Sequence, residues 1–459
     1  MKVALVFPRF KHRNFAAEPL GLLYIAAILK KNGIDVTFFD GTVIDKEEII
    51  DKIVSGKYDY AGFSVQTIYA DDALDMARKI KKRSPKIKTV FGGPHASAHP
   101  NPIKGVDHVV VGEGEYIFLD LIKGKVRGKV IKAEPIKNMD EIPLPARELL
   151  DKRYFDNGTP NFMLSRGCPF RCAFCQTTLT KIFGLTCRRF SIKRSIEEIR
   201  NANKLYKKMG AKVTTYVFQD DAVTYNKKWL QDFCETLINK KLVTPWVAGS
   251  RADTLPSDDM LQLMKDSGCK KLSIGVESGN DYIRNTILQK NLSKNKIRDA
   301  FKRLHKVGIG SHSFLMVGSP GETRATVLET VELLDEIEPT AAQVTVTTPI
   351  PGTTLYDYCE ANELVNPGTF SDYDYYFNSR LNLDTLQQNE IDTLRNAVNY
   401  SIIFRNLIHR KLKVKVRYKT LFKIFQMGMI NKMMSSFERG TMSFFRYKVQ
   451  GAFKFSFRG

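Results

Sequence analysis

Residues 161–178 read NFMLSRGCPFRCAFCQTT, a short strand-like run followed at once by three cysteines in a Cys-x3-Cys-x2-Cys spacing. Cys168, Cys172 and Cys175 make up three of only seven cysteines in 459 residues. Thiolates are the soft donors that iron–sulfur clusters take, and three of them on one loop leave a fourth iron with an open position where a second molecule can chelate. A zinc site is the competing reading; it needs a fourth ligand, for which Cys187 is the candidate. Cysteines this few, and grouped in this way, read as ligands in a reducing cytoplasm and not as disulfide partners.

Downstream of the loop, β-rich runs alternate with amphipathic helical runs: TTYVFQDD, TPWVAGSR, KKLSIGVESG, SHSFLMVGSPGE and AAQVTVTTP are separated by patterns such as KWLQDFCETLINKK, NKIRDAFKRLHKVG and RATVLETVELLDEI. With NFMLSRG this makes six strands, which suits a partial (βα) barrel and a flat sheet equally. Upstream, KVALVF, DVTFFD, YAGFSV and KTVFGG alternate with helical runs over the first 125 residues, the signature of an open parallel sheet with helices on both faces. Ligands on such sheets bind beyond the carboxyl ends of the strands, so the loops from Ser64 to Thr67, Gly92-Gly93-Pro94-His95 and Gly112-Glu113-Gly114-Glu115 are candidate contacts, Ser64 and Glu113 among them. Between Pro135 and Pro160 prolines interrupt every pattern, as in EIPLPARELL, and a linker is expected.

The tail after Asn366 differs in kind. From Ser401 to Gly459 fourteen Lys or Arg stand against one acid, Glu438, so much of the formal net charge of +22 is local. SIIFRNLI and TLFKIFQMGM read as helices, while KLKVKVRY alternates like a strand. Rings at Phe404, Tyr418, Phe422, Phe425, Phe444, Phe445, Phe453 and Phe457 lie among the cations, a composition suited to an anionic membrane surface or to a basic cover packed on the barrel. The chain opens on MKVALVFPRF with no signal-like run ahead of it, and no apolar stretch reaches the ~20 residues that span a bilayer. The expected place is the cytoplasm, with contact at the inner face of the membrane.

Phe174 before the third cysteine completes a pattern that resembles the radical S-adenosylmethionine signature. FQDD (218–221), SRAD (250–253), MKDSGCKKLSIGVESG (264–279), VGSPGE (317–322) and TPIPGT (348–353) follow in order, and PLGLLYIAAIL, GGPHAS and VVVGEGE stand upstream. The whole set resembles the cobalamin-dependent radical S-adenosylmethionine enzymes. That resemblance implies an α/β chain with an N-terminal Rossmann-like cobalamin-binding domain (1–135), a linker (136–158), a partial (βα)6 radical SAM barrel (159–365) and a mostly helical, basic C-terminal region (366–459). It implies a [4Fe–4S] cluster on Cys168, Cys172 and Cys175, together with S-adenosylmethionine and cobalamin.

The resemblance also assigns roles. Gln219, Asp220 and Asp221 would hold the methionine ammonium, and Arg251 its carboxylate, through a fork that lysine cannot match. Glu277, with Ser278 beside it, would accept from the ribose hydroxyls. Gly318 and Pro320 would let the backbone approach the adenine. Ser64, Gly92, Gly93, Pro94 and Glu113 would contact cobalamin. None of the seven histidines stands in Asp-x-His-x-x-Gly, so the cobalt is expected to lack a histidine ligand; His95 and His99 read as packing residues. The implied reaction begins with one electron from a donor such as flavodoxin or ferredoxin, generates a 5′-deoxyadenosyl radical and methylates an unactivated carbon of a small molecule or lipid. Radical cyclisation, rearrangement or carbon–carbon coupling with the same cofactors is the second reading. A nucleic-acid-binding sensor is the third, and it would have no need of a full set of S-adenosylmethionine contacts.

Overall fold

The computed structural model describes residues 1–10, 17–175, 185–369, 372, 380–412 and 416–426. Its first sheet contains β1 (Lys2–Phe7), β2 (Asp35–Asp40), β3 (Tyr60–Ser64), β4 (Lys88–Gly92), β5 (His108–Val111) and β6 (Val130–Lys132). All pair in parallel, in the order β2-β1-β3-β4-β5-β6. Successive side chains of a strand point to opposite faces. Val3, Leu5 and Phe7 therefore pack with helices Leu20–Lys31 and Gly114–Ile122, while Ala4 and Val6 pack with Lys46–Ser55 and Ala70–Arg83. Burial on both faces is why VALVF, residues 3–7, is an unbroken apolar run. The strand order reverses between β1 and β3, which places the ligand crevice at their carboxyl ends.

The second sheet contains β7 (Asn161–Phe162), β10 (Tyr216–Phe218), β11 (Trp246–Ser250), β12 (Cys269–Glu277), β13 (Gly310–Val317) and β14 (Ala341–Val346), parallel and in chain order. A two-stranded antiparallel ribbon of β8 (Ser165–Arg166) and β9 (Arg188–Arg189) stands beside it. Side-chain oxygens of Ser191, Asn226, Ser257, Ser293 and Thr323 each accept a backbone N–H in the first turn of the helix that follows. These caps set where the helices begin. β7 and β14 are the two edges, so the six strands form an unclosed (βα)6 array, the arrangement that periodicity left open.

The tail corrects one expectation. KLKVKVRY is no strand where it is described: Lys411 and Leu412 end the helix Gln388–Leu412, and Tyr418 begins the helix Tyr418–Gln426. The Asp335 carboxylate accepts the backbone N–H of Tyr418 and of Lys419, and the Tyr418 ring is 0% exposed. Capping and burial outweigh a weak alternating pattern. Phe422 is buried too, and Phe404 and Phe425 pack ring to ring at 5.3 Å. The described half of the tail thus turns its rings inward. Phe444, Phe445, Phe453 and Phe457 lie outside the described residues. Among the described residues no helix is long and apolar enough to cross a membrane.

The proline-rich connection is packed, not loose. Arg147, in the single turn Arg147–Leu149, is 0% exposed. Its Nε donates to Glu18 Oε2 at 2.7 Å and its Nη2 to Glu198 Oε1 at 2.8 Å and to the Asn161 carbonyl. Tyr206 donates to Glu18 at 3.0 Å, while Tyr24 and Arg194 donate to Glu198 at 3.2 and 3.0 Å. Glu18 and Tyr24 belong to the first unit, Glu198 and Tyr206 to a helix of the second, so one guanidinium bolts the two together. Removing one partner of such a buried set costs about 3–5 kcal/mol, because the remaining charges lose their compensation. Arg147→Ala is expected to lower the unfolding free energy by that amount in a denaturant titration; a change under about 1 kcal/mol would show that the cluster does not hold the units together.

Candidate functional site

The carboxyl edges of the two sheets face each other across a cleft of about 300 Å³. From the first sheet it takes Ser64, Gly92, Gly93, Pro94, Gly112, Glu113 and Gly114, all in loops expected from the sequence, together with Gly62. From the second it takes Gln219 and Asp221, also expected, and Met163, Ser165, Arg166 and Gly167, which were not. The wall is mostly apolar and carries a row of glycines. Gly93 has φ +89°, and a Cβ there would stand 3.0 Å from the backbone of Val65, so only glycine lets the chain turn at this point. Glycines interleaved with apolar side chains such as Leu5, Val90, Val110 and Phe118 suit a broad flat macrocycle such as a corrin. No histidine is among the lining residues. His95 is buried with its Nδ1 3.4 Å from Thr67 Oγ1 and its ring 4.8 Å from that of His99; burial, then His99, brings its pKa down to about 4.

Glu113 lines the cleft but spends its oxygens elsewhere. It accepts from Arg166 Nη1 at 2.8 Å, Arg188 Nη1 at 2.7 Å and the backbone N–H of Ile136. Burial alone would raise its pKa; the two arginines and the Ile136 N–H outweigh it and hold the carboxyl below its ordinary value. Glu115 accepts from Arg166 Nη2 at 2.5 Å. Arg166 stands two residues before Cys168, so the wall of the cleft leads directly into the cysteine loop.

On that loop Cys172 is buried, Cys168 half-buried and Cys175 exposed. The loop is pinned at its middle, where Ala173 donates to the Leu288 carbonyl and accepts from the Leu355 N–H, both at 2.9 Å. Among the described residues no three His, Cys, Asp or Glu groups stand in the arrangement of a closed metal cage. The donor set nonetheless fits the cluster by its chemistry: three soft thiols, and a guanidinium N–H already aimed at one of them. That guanidinium is Arg251. Its Nε and Nη2 grip Asp253 at 2.9 Å each, its Nη2 also donates to the Lys290 carbonyl at 2.9 Å, and its Nη1 donates to Cys172 Sγ at 3.4 Å. The fork expected for a cofactor carboxylate is therefore held by Asp253.

The other expected contacts divide. Asp221 faces the cleft, its carboxyl pushed up to about 6 by burial and then by Asp220. Asp220 turns inward, accepting from the Leu164 N–H at 3.1 Å and from the Ser165 hydroxyl; it ties strand ends together and is not among the residues lining the cleft. Gln219 is anchored through its amide to Asn161 at 2.6 Å. Glu277 adopts φ +63°, a conformation that costs a non-glycine residue energy and so marks a constrained position. Its carboxylate accepts from Lys290 Nζ at 2.8 Å. Ser278 is committed to Thr330 and the Asn280 N–H. Pro320 is buried, and a Cβ on Gly318 would stand 2.9 Å from Ile391, so the space that this glycine frees is taken by the C-terminal helix.

The structure fits two matches to known proteins. The family described as the Radical SAM superfamily matches residues 162–334, and the B12 binding domain matches residues 10–122. An uncharacterized methyltransferase of Pyrococcus horikoshii is 32% identical over 400 residues, covering 80% of this chain and 84% of the relative. The chain belongs to the cobalamin-binding radical S-adenosylmethionine family. It is an enzyme of that family, and its cofactors are a [4Fe–4S] cluster, S-adenosylmethionine and cobalamin. An anaerobic magnesium-protoporphyrin IX monomethyl ester cyclase of Rubrivivax gelatinosus is 27% identical, covering 82% of this chain and 72% of the relative. Two solved structures share the fold at 15% identity. OxsB, a cobalamin-dependent S-adenosylmethionine radical enzyme, has a TM-score of 0.71 over 92% of this chain and 70% of its own. TsrM from Kitasatospora setae, a radical S-adenosylmethionine methyltransferase, has 0.64 over 80% and 79%.

Glu322, in the VGSPGE loop of this family member, is fully buried. Its Oε2 accepts from the backbone N–H of Gly318 at 2.6 Å and of Ser319 at 3.2 Å, and its Oε1 has no hydrogen-bond partner among the described residues. Burial raises its pKa from 4.5 to about 7. Between those values the native state holds a proton that the unfolded chain has released, so stability falls as pH rises through the window. Glu322→Gln is expected to flatten that slope in denaturant titrations between pH 4.5 and 7; an unchanged slope would place the titration elsewhere.

Proposed function

We propose that this enzyme is a cobalamin-dependent methyltransferase that adds a methyl group to an unactivated carbon of a small molecule. The observation that carries the reading is a cleft walled by the strand ends of both units, whose residues Arg166 and Gly167 run straight into the loop of Cys168, Cys172 and Cys175. In this reading residues 1–135 hold cobalamin, 136–158 fasten the units, 159–365 hold the cluster and S-adenosylmethionine, and the described helices of the tail, Gln388–Leu412 and Tyr418–Gln426, pack on the barrel. Together the bound groups supply one-electron chemistry and a transferable methyl group. The chain's own residues exclude water through the apolar rim, hold the cluster on three thiolates, and present Gln219 and Asp221 to whatever lies between the two sheets.

An electron donor of the flavodoxin or ferredoxin class is part of the proposal. A lipid substrate is the finer reading of the tail, supported by Ile403 and Leu407, one helical turn apart and 40% and 47% exposed, and by the exposed cations Arg417 and Lys423 in the same region of the chain. Cyclisation is the alternative chemistry, favoured by the cyclase among the relatives.

Product mass separates methylation from cyclisation. With S-adenosylmethionine carrying a trideuterated methyl group, the product is expected to gain one labelled methyl, whereas a cyclase leaves the label out of it. Cys168→Ala, Cys172→Ala and Cys175→Ala should each abolish 5′-deoxyadenosine formation and lower iron content. Cys187→Ala should leave both intact; zinc in the site and a requirement for Cys187 would contradict the reading.

A further inference from the structure

Arg251 is held on every side by what its guanidinium touches. Four contacts fix it: Asp253 through two nitrogens, the Lys290 carbonyl, Cys172 Sγ at 3.4 Å and the Phe170 ring, whose centroid lies 3.8 Å from the guanidinium carbon. The residue is buried, so neither water nor a change of rotamer competes for the N–H that points at sulfur. Arginine keeps its charge at any pH a protein survives, and only its planar fork can bind a carboxylate with two nitrogens while presenting a third to another acceptor.

We propose that Arg251 is a positioning residue for electron transfer: by donating to Cys172 Sγ it raises the reduction potential of the cluster held there. The inference rests on Cys172 being a cluster ligand. The step concerned is the uptake of one electron from a one-electron reductant; no bond forms or breaks, and the added negative charge spreads onto iron and the ligating sulfurs. A hydrogen bond to a cluster sulfur favours the more negative state and lifts the potential. Asp253 offsets part of the charge of Arg251 but leaves the hydrogen bond, which it orients. The geometry therefore supplies the donor in advance, with no rearrangement when the electron arrives.

The test is a redox titration of the anaerobically reconstituted full chain, followed by the electron paramagnetic resonance signal of the reduced cluster. Arg251→Gln is expected to reduce the ratio of reduced to oxidised cluster about tenfold at a fixed applied potential, a fall of about 59 mV for one electron. Arg251→Lys should fall between Gln and wild type. A purely structural role would lower iron content or thermal stability but leave the midpoint of the iron-loaded fraction unchanged, and that result would overturn the proposal. Wild-type protein carrying guanidino-15N arginine gives a readout that does not depend on the Gln variant folding: its reduced cluster should show a 15N coupling in pulsed spectra that Arg251→Lys lacks. No such coupling in wild type would also overturn it. Wild type that takes up no iron would instead sink the cysteine assignment itself, a failure distinct from an iron-loaded protein with an unmoved midpoint.

Discussion

Arg166 is the residue on which the geometry of the site depends. It lies in the short ribbon that leads into the cysteine loop, and its guanidinium is gripped by Glu113 and Glu115 at the carboxyl edge of the first sheet. The floor of the cleft and the loop that carries the thiols are thereby set against each other by one side chain. Two groups that must exchange a methyl or a hydrogen atom have to be held within a fraction of an ångström of the right separation. Rigid elements joined by buried, fully engaged charges meet that demand better than a flexible hinge does.

The energetic character of this joint differs from that of the cores beneath it. Apolar burial holds each sheet to its helices and would do so for either unit alone. Charge pairs out of water gain little net stability because desolvation offsets much of the attraction, yet they strongly disfavour any arrangement that leaves one of them unpaired. The Arg147 and Arg166 clusters thus select one relative placement of the two units more than they stabilise it. The Pro351-Gly352 turn adds a steric constraint of the same kind, since a Cβ on Gly352 would stand 2.8 Å from Ala98 Cβ in the first unit.

Much of this was legible in the sequence, for physical reasons that differ from one element to the next. KVALVF and RATVLETVELLDEI announced a doubly covered strand and an amphipathic helix because side-chain periodicity follows directly from backbone geometry. Ser64, the Gly92-Gly93-Pro94 turn and Asp221 were reachable because strand ends in parallel sheets are where ligands bind. What stayed hidden was long-range. Nothing local distinguishes Arg166 or Arg147 from a surface arginine, and their partners stand 51 to 129 residues away in the chain. Glu113, Asp220 and Ser278 have the residue types of ligand contacts, but the fold commits their oxygens to arginines, backbone N–H groups and hydroxyls. KLKVKVRY alternates like a strand, and the buried Tyr418 and the Asp335 cap show why its described ends belong to helices or their caps.

In the proposed reading one cleft brings a corrinoid on the first sheet face to face with a cluster on the cysteine loop. Electron paramagnetic resonance of the full chain, loaded with cob(II)alamin and with its cluster reduced, reads that proximity, because two unpaired spins that close broaden and split each other's signals. The spectrum is expected to differ from the sum of the two centres recorded singly, with the difference lost in Cys172→Ala. A spectrum equal to that sum, with both centres fully loaded, would contradict the reading.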